Sequence, residues 1–559
     1  MKTLLTQVKD VPTCLTSNIN WKGLTKLTKV RTPEEIALLI KDGATISTSG
    51  MGLAGWNEEM AIAIEKRYLE TGHPQDITLL QACSQGDWDK KGTTHFGHVG
   101  LIKRWIGAHI GASPNLVKLV EENKIEAYNL PQGVITQLWR EIAAKRAGIL
   151  TKVGLGTYID PRLEGGKLNT LTRAGGDIVK VVNFEGAEYL FYKSFPIDVA
   201  LIRGTVADEN GNLTMAKEGL MSGAIHLAQA AKNSGGIVIA QAENIAKAKS
   251  LHPKEVKVPG ILVDYIVVAS SNENHFQTEG IYYNPAFAGN IKIPLGHVVP
   301  LPLNERKIIA RRAAMELEPD CIINLGVGMP TDVANVAAEE HASDKMVLTT
   351  EAGAIGGVPS GLPHFGQSYN AEAMIEMPSQ FDFYDGGGID IAFLGLAQAD
   401  RAGNVNVTQF GTKIMGCGGF VNVCQNSKKV VFCGSFTAGG LKVKAENSKL
   451  IIVQEGKHKK FLNNVEHVSF SGKYAFNVNQ SVLYVTERAV FTIGDGKLTL
   501  IEIAPGISLE KDVIAQMDFK PRISSQLKTM PESIFKPQWG ELNQVIESKN
   551  RVIILQQAK

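Results

Sequence analysis

The chain has 559 residues, more than one hydrophobic core usually holds, so two or more domains are expected. Its 44% hydrophobic and 20% charged residues are ordinary for a globular protein, and 58 basic against 56 acidic residues leave a net charge of +2. That balance excludes the electrostatic footprint of a nucleic-acid or anionic-membrane binder.

The first ten residues, Met1 to Asp10, lack the apolar core of a signal peptide and the arginines of a transit peptide, so the expected compartment is the cytoplasm. Thr45 to Ser49 reads as a strand ending at Gly50, and Asn57 is placed to cap a helix over Glu58 to Lys66. Asp76 to Leu80 reads as another strand, Gly223 to Lys232 as a helix and Ile237 to Ala240 as a strand. The apolar run Ile261 to Ala269 is interrupted by Asp264 and reads as a buried strand, not a membrane span. Alternating strands and helices with Gly-rich turns predict an α/β fold with largely parallel sheets.

Pro285, Pro294, Pro300 and Pro302 break this pattern before Asn304 opens a helix running to about Leu317. The predicted organisation is an extension over 1–28, a first domain over 29–285, a linker over 286–303, a second domain over 304–527 and a peripheral tail over 528–559. After the linker the chain repeats itself. Ser49-Gly50-Met51-Gly52 is matched by Leu325-Gly326-Val327-Gly328-Met329-Pro330, each before a helix, the second over Thr331 to Glu339. Asp198 to Ile202 leading to Ala207-Asp208-Glu209-Asn210-Gly211-Asn212 is matched by Asp390 to Leu394 leading to Ala399-Asp400-Arg401-Ala402-Gly403-Asn404. The paired marks stand about twice as far apart in the first copy, which therefore carries a large insertion; the pattern predicts a duplicated α/β domain. Strands at Lys449 to Val453, Ser481 to Val485 and Lys497 to Ile501 are expected to complete the second copy, and the lysine-rich Lys442 to Lys460 stretch to be a solvated face.

The chemistry centres on Met346 to Thr350, a predicted buried strand, with Glu351 at its C-terminal end, the edge where α/β sheets bind ligands. Gly353, Gly356 and Gly357 follow, and their missing side chains are expected to admit a bulky substrate, with backbone N–H groups forming an anion-binding concavity. A glutamate with an ordinary pKa of about 4.3 is ionised at neutral pH and ready as a nucleophile. Cys417, Cys424 and Cys433, seven and nine residues apart with no CxxC pair, read as reduced structural thiols, and no metal is expected. Asp382 and Asp385 are expected to order the Gly386-Gly387-Gly388 turn, Asp160 and Arg162 to pair with one another or to shape the cleft between the halves, and His364 to be structural.

The run Thr350-Glu351-Ala352-Gly353-Ala354-Ile355-Gly356-Gly357-Val358-Pro359 resembles the active-site segment of family I coenzyme A transferases. So do Gly154 to Arg162 and Gln380 to Gly388. The resemblance is greatest to the single-chain propionate/acetate branch, related to succinyl-CoA:3-ketoacid CoA-transferase, and covers about Val30 to Leu527. It implies two tandem related open α/β domains with the active site in the cleft between them. It also implies a ping-pong transfer of coenzyme A from a short-chain acyl-CoA to a small carboxylate, with a glutamyl-CoA thioester on Glu351 and Gln132 stabilising the oxyanion. Gly326, Val327, Gly328, Met329 and Pro330, with Gly416, Gly418 and Gly419, match its CoA-contacting segments; the first also fits a phosphate at a helix N-terminus. CoA and acyl-CoA are then substrates with no permanently bound cofactor, and the assembly a homo-oligomer of two or four chains. Trp56 stands where many relatives have a longer glycine run and is expected to narrow the acyl pocket. Two other functions compete: an acyl-CoA hydrolase on the same fold, and a non-catalytic sensor of a CoA ester or sugar phosphate.

Overall fold

Runs of apolar and β-branched residues form the parallel strands of two sheets, one in each half of the chain. The computed structural model describes residues 29–294 and 299–557, so the extension over 1–28 lies outside the described residues. The first sheet contains β1 (Thr45–Thr48), β2 (Ile77–Gln81), β3 (Ile102–Gly107), β4 (Glu126–Asn129), β5 (Val199–Arg203), β6 (Ile237–Ala242) and β7 (Tyr265–Val268) in the order β7-β6-β5-β1-β2-β3-β4, all parallel. The second contains β8 (Cys321–Leu325), β9 (Met346–Thr349), β10 (Ala354–Ile355), β11 (Ala373–Met374), β12 (Ile391–Gly395), β13 (Lys429–Cys433), β14 (Ser481–Val485), β15 (Ala489–Gly494), β16 (Lys497–Ile503) and β17 (Arg522–Thr529). Its order is β11-β10-β9-β8-β12-β13-β14-β15-β16-β17.

The duplication is visible in topology: β7-β6-β5-β1-β2 repeats as β14-β13-β12-β8-β9. It is also visible atom by atom. Asp198 accepts from the Thr45 N–H and Asp390 from the Ile322 N–H, both at 2.8 Å. Asp208 Oδ1 accepts from the N–H groups of Asn210 and Asn212, and Asp400 Oδ1 from those of Ala402 and Asn404. The longer stretch between β2 and β5 in the first copy holds β3, β4, helices at Pro114–Glu121, Gln132–Ala143 and Thr170–Arg173, and a small antiparallel sheet.

Helices begin where the sequence offers caps. Asn57 accepts from the Met60 N–H to start α1 (Glu58–Thr71), and left-handed Gly72 ends it. In the insertion lies α2 (Gln132–Ala143), and α3 (Ala224–Asn233) precedes β6. Asn304 accepts from both Arg306 and Lys307 to start α4 (Glu305–Ala314), which is followed by α5 (Asp332–Glu339), α6 (Met377–Asp385) and α7 (Phe420–Asn426). Among the described residues no helix is long and apolar enough to cross a membrane.

The two halves share a core: Leu80, Ile135 and Trp139 from the first belong to one buried cluster with Phe381, Tyr384 and Val421 from the second. Asp382 and Asp385, expected to order a glycine turn, instead tie α6 to α2. Asp382 pairs with Arg140 at 2.5 Å, and Asp385 accepts from Gln137 at 2.9 Å and from Asn422 at 2.9 Å. Helix periodicity puts both acids on the α6 face that meets the first half. The segment after Lys528, expected as a peripheral tail, is integral. Met530, Ile534, Phe535, Trp539, Leu542 and Ile546 are buried in the second half's own core, and the Arg311 guanidinium donates to the carbonyls of Ile534, Lys536 and Pro537. Lys449–Gln454 stays out of the main sheet and pairs with Lys442–Glu446 as a separate hairpin whose lysines face outward.

Candidate active site

Glu351 follows β9 at its C-terminal end, and the chain reverses at once into β10. The reversal depends on Gly353, at φ +106, where a Cβ would lie 2.0 Å from the Ile375 carbonyl oxygen. Gly357 is equally confined, with the Tyr369 carbonyl at 2.2 Å. The glycines expected to admit substrate therefore admit neighbouring backbone. The expected anion concavity is absent too: the N–H groups of Gly353, Ala354 and Gly356 donate to Thr350 O, Thr350 Oγ1 and Leu348 O.

The space beside Glu351 is provided by the other glycine run. A Cβ on Gly419 would meet Glu351 Cδ at 2.5 Å, and one on Gly418 would meet Gln132 Oε1 at 3.8 Å, so adjacent glycines carry the two predicted catalytic side chains. This loop is clamped to the first half. Gly418 N–H donates to Ala108 O at 2.8 Å, Gly418 O accepts from Gln132 N–H at 3.0 Å, and Cys417 N–H donates to Asn129 Oδ1 at 3.1 Å. Asn129 also donates to the carbonyls of Gly107 and Ala108 and accepts from the Tyr158 hydroxyl, which gives the Gly154 to Arg162 segment its place. Gly154 N–H itself donates across to Gln425 at 2.8 Å, and Asp160 pairs with Arg162 at 2.7 Å as expected.

Burial pushes the Glu351 carboxyl up to about 7, against the opposing hydrogen bond from the Gly419 N–H. The expectation of full ionisation at neutral pH thus gives way to a group balanced between its two forms. Gln132, 2% exposed in the first turn of α2, directs its amide Nε2 at Met377 Sδ, 3.6 Å away, a weak acceptor that leaves the donor available. Cys83 lies 3.7 Å from the same sulfur. Burial, with the Glu351 charge added, holds its thiol well above the ordinary range.

Glu351, Gln132, Gly326, Val327, Gly416, Gly418 and Gly419 all line one cavity of about 420 Å³ between the halves. Gly328, Met329 and Pro330 are not on its wall. The helix they lead into, α5, already has a carboxylate in its first turn, Asp332, paired with Arg306 at 2.7 Å, which disfavours a phosphate there. Trp56 is not at the cavity: it is buried in the first half's core, edge-on to Phe96, with Nε1–H donating to Glu58 at 2.6 Å. His364 turns toward Phe287, ring centroids 6.0 Å apart, while its neighbours Pro363 and Phe365 face the cavity. Cys424 and Cys433 are buried free thiols, and Cys417 lines the cavity with its thiol pushed up to about 12 by burial.

Among the wall residues that sequence reading missed are Met51, Cys83, Trp88, His109, Glu279 and Met415. Only Trp88 carried a signal, as a large apolar residue standing alone among charges in Gly86-Asp87-Trp88-Asp89-Lys90-Lys91.

Comparison with known proteins places the chain among relatives of known family. Residues 30–269 match the family described as Coenzyme A transferase. The chain is 54% identical over 525 residues to a caffeate CoA-transferase from Acetobacterium woodii, covering 93% of this chain and 100% of the relative. It is 42% identical over 508 residues to the acetate CoA-transferase YdiF of Escherichia coli (strain K12), covering 90% and 95% of the two chains. The crystal structure of the acyl-CoA transferase YdiF apoenzyme from Escherichia coli O157:H7 superposes with a TM-score of 0.87 at 41% identity, covering 92% of this chain and 97% of that one. A second YdiF crystal structure, a thioester complex with CoA, superposes at 0.85 and 40% identity with the same coverage. The chain belongs to the coenzyme A transferase family.

Proposed function

We propose that this enzyme transfers coenzyme A between carboxylic acids by a ping-pong route through a glutamyl-CoA thioester on Glu351. The ionised carboxylate attacks the thioester carbonyl carbon, the C–S bond breaks, and the CoA thiolate leaves an acyl-glutamyl anhydride. The thiolate then attacks the glutamyl carbonyl carbon, releasing the first acid as its carboxylate and leaving CoA on Glu351. A second carboxylate reverses both steps and departs as the new acyl-CoA. In this reading the N–H groups of Gln132 and Gly419 stabilise the oxyanion. Anhydride formation is uphill and draws on binding energy from remote parts of CoA. The supporting observation is that Gly418 and Gly419 hold Gln132 and Glu351 side by side on one cavity wall.

The thioester complex known for a relative at 40% identity supports the covalent route. The family resemblance supports short-chain acids such as acetate and propionate as substrates, and a cytoplasmic homo-oligomer of two or four chains. Borohydride treatment after incubation with acyl-CoA tests the intermediate. Inactivation with modification at Glu351, together with acid-dependent exchange of labelled CoA and little net hydrolysis, is expected. Net hydrolysis without exchange would make the protein a hydrolase, and failure to inactivate would remove the covalent step.

A further inference from the structure

The cavity wall carries acids and no base. Its charged side chains are Glu351 and Glu279, and no lysine or arginine is among the lining residues. His109, on the same wall, is held neutral, burial taking its pKa down to about 4. The chemistry uses Glu351, whereas it gives Glu279 no task.

The backbone gives Glu279 a defined place. Thr278 N–H donates to Ile281 O at 3.2 Å and Ile281 N–H to Thr278 O at 3.0 Å, closing a two-residue turn over Glu279 and Gly280. Gly280, at φ +70, supplies the left-handed residue such a turn needs. Buried Gln277 anchors its base, accepting from Asn284 N–H at 2.8 Å and donating to Lys217 O at 2.6 Å.

The Glu279 carboxyl itself is unpaired. Half-buried, it receives no hydrogen bond and no ion pair among the described residues. Two lysines pack on the same loop, Lys91 over the Phe276 ring and Lys217 over those of Tyr282 and Tyr283. Their ammonium groups are taken by Glu58 at 3.3 Å and Glu243 at 2.7 Å. Burial, with the like charge of Asp87 added, raises the Glu279 carboxyl above its usual range. An acid with no counterion on a partly desolvated wall repels a second anion brought against it.

The cavity segments matched to CoA, Gly326 with Val327 and Gly416 with Gly418 and Gly419, belong to the second half, and Glu279 belongs to the first. With the thioester carbon at Glu351, the acyl tail is left the first half's wall. We propose that Glu279 is a specificity-determining residue that turns away acids carrying a second carboxylate, restricting transfer to monocarboxylates. The inference rests on the CoA-transfer reading and assigns the charge selectivity of that same site to one side chain.

The test compares kcat/KM for transfer from acetyl-CoA to butyrate, succinate and succinamate at about pH 8 in the full-length chain. Succinamate has the shape of succinate with a neutral amide in place of one carboxylate, so the ratio of the two reads charge and not size. The wild type is expected to favour succinamate over succinate by about a hundredfold. Glu279→Gln, which keeps the side-chain shape, should narrow that ratio by about tenfold or more, and Glu279→Lys should narrow it further. Circular dichroism identifies a variant that fails to fold. Asp87→Asn, whose side-chain oxygen still accepts from the N–H groups of Asp89, Lys90 and Lys91, then carries the test with a smaller shift in the same direction. Equal use of succinate and succinamate by the wild type would overturn the proposal and, with butyrate converted, leave the CoA-transfer reading intact. So would a ratio unmoved in the folded variants, or conversion of butyrate alone, which would make polarity the selector. Transfer to none of the three acids would overturn both.

Discussion

The Glu351 carboxylate rests on the Gly419 backbone, so that a Cβ there would lie 2.6 and 2.7 Å from its two oxygens. Gly419 has φ −85, which alanine adopts freely, and the displaced group is the far end of a flexible side chain. Gly419→Ala is therefore expected to fold with a melting temperature near that of the wild type while losing on the order of 10²–10³ in kcat through misplacement of the nucleophile. Near-wild-type turnover in a steady-state transfer assay would break the link between this contact and catalysis.

The raised pKa of Glu351, about 7, fixes a pH dependence. Only the ionised form attacks, so kcat/KM is expected to rise with pH, fall about tenfold per unit below 7 and level off above it. A profile flat from pH 5.5 to 8 would contradict this.

The same shift has a stability consequence. The folded-state pKa lies above the unfolded value near 4.5, so the folded form holds the proton more tightly. Stability from this group is full below about pH 4.5 and is lost as pH rises through 7. Glu351→Gln, always neutral, should be more stable than the wild type at pH 8 by up to about 3 kcal/mol, with the difference vanishing toward pH 4.5. Urea denaturation at the two pH values measures it, and transfer activity should be abolished at both.

Gln132 presents its amide N–H to Met377 Sδ at 3.6 Å, a contact readily exchanged for an oxyanion. Gln132→Ala is expected to cost about 10²–10³ in kcat with little change in KM, and Gln132→Glu, which replaces the donor with an acceptor, at least as much. An effect confined to KM would make Gln132 a ground-state binding residue.

Asn422 joins the halves by accepting from Gly133 N–H at 3.1 Å and donating to both oxygens of Asp385, at 2.9 and 3.1 Å. Burial already lifts the Asp385 carboxyl to about 6. Asn422→Ala would orphan a buried N–H and strip donors from a buried acid, a loss of about 2–3 kcal/mol. Because Gly133 follows Gln132, kcat should fall as well. Unchanged stability in denaturant titration would show that these bonds contribute nothing net.

Sequence by itself determined the α/β class, the duplication, the caps at Asn57 and Asn304, and Glu351 at a strand end, because each is written in local pattern: alternation, turn chemistry and short motifs at fixed offsets. Only the tertiary structure decided what surrounds that glutamate. Gly353 and Gly357 serve backbone packing instead of substrate, Trp56 belongs to the core and Trp88 to the cavity, and the segment after Lys528 is core instead of tail. Spacing along the chain is blind to these assignments, since they depend on which distant surface fills the volume beside each residue. The pKa of Glu351 has the same origin: its ordinary value is a property of glutamate, and its shift is a property of the two halves closing over it.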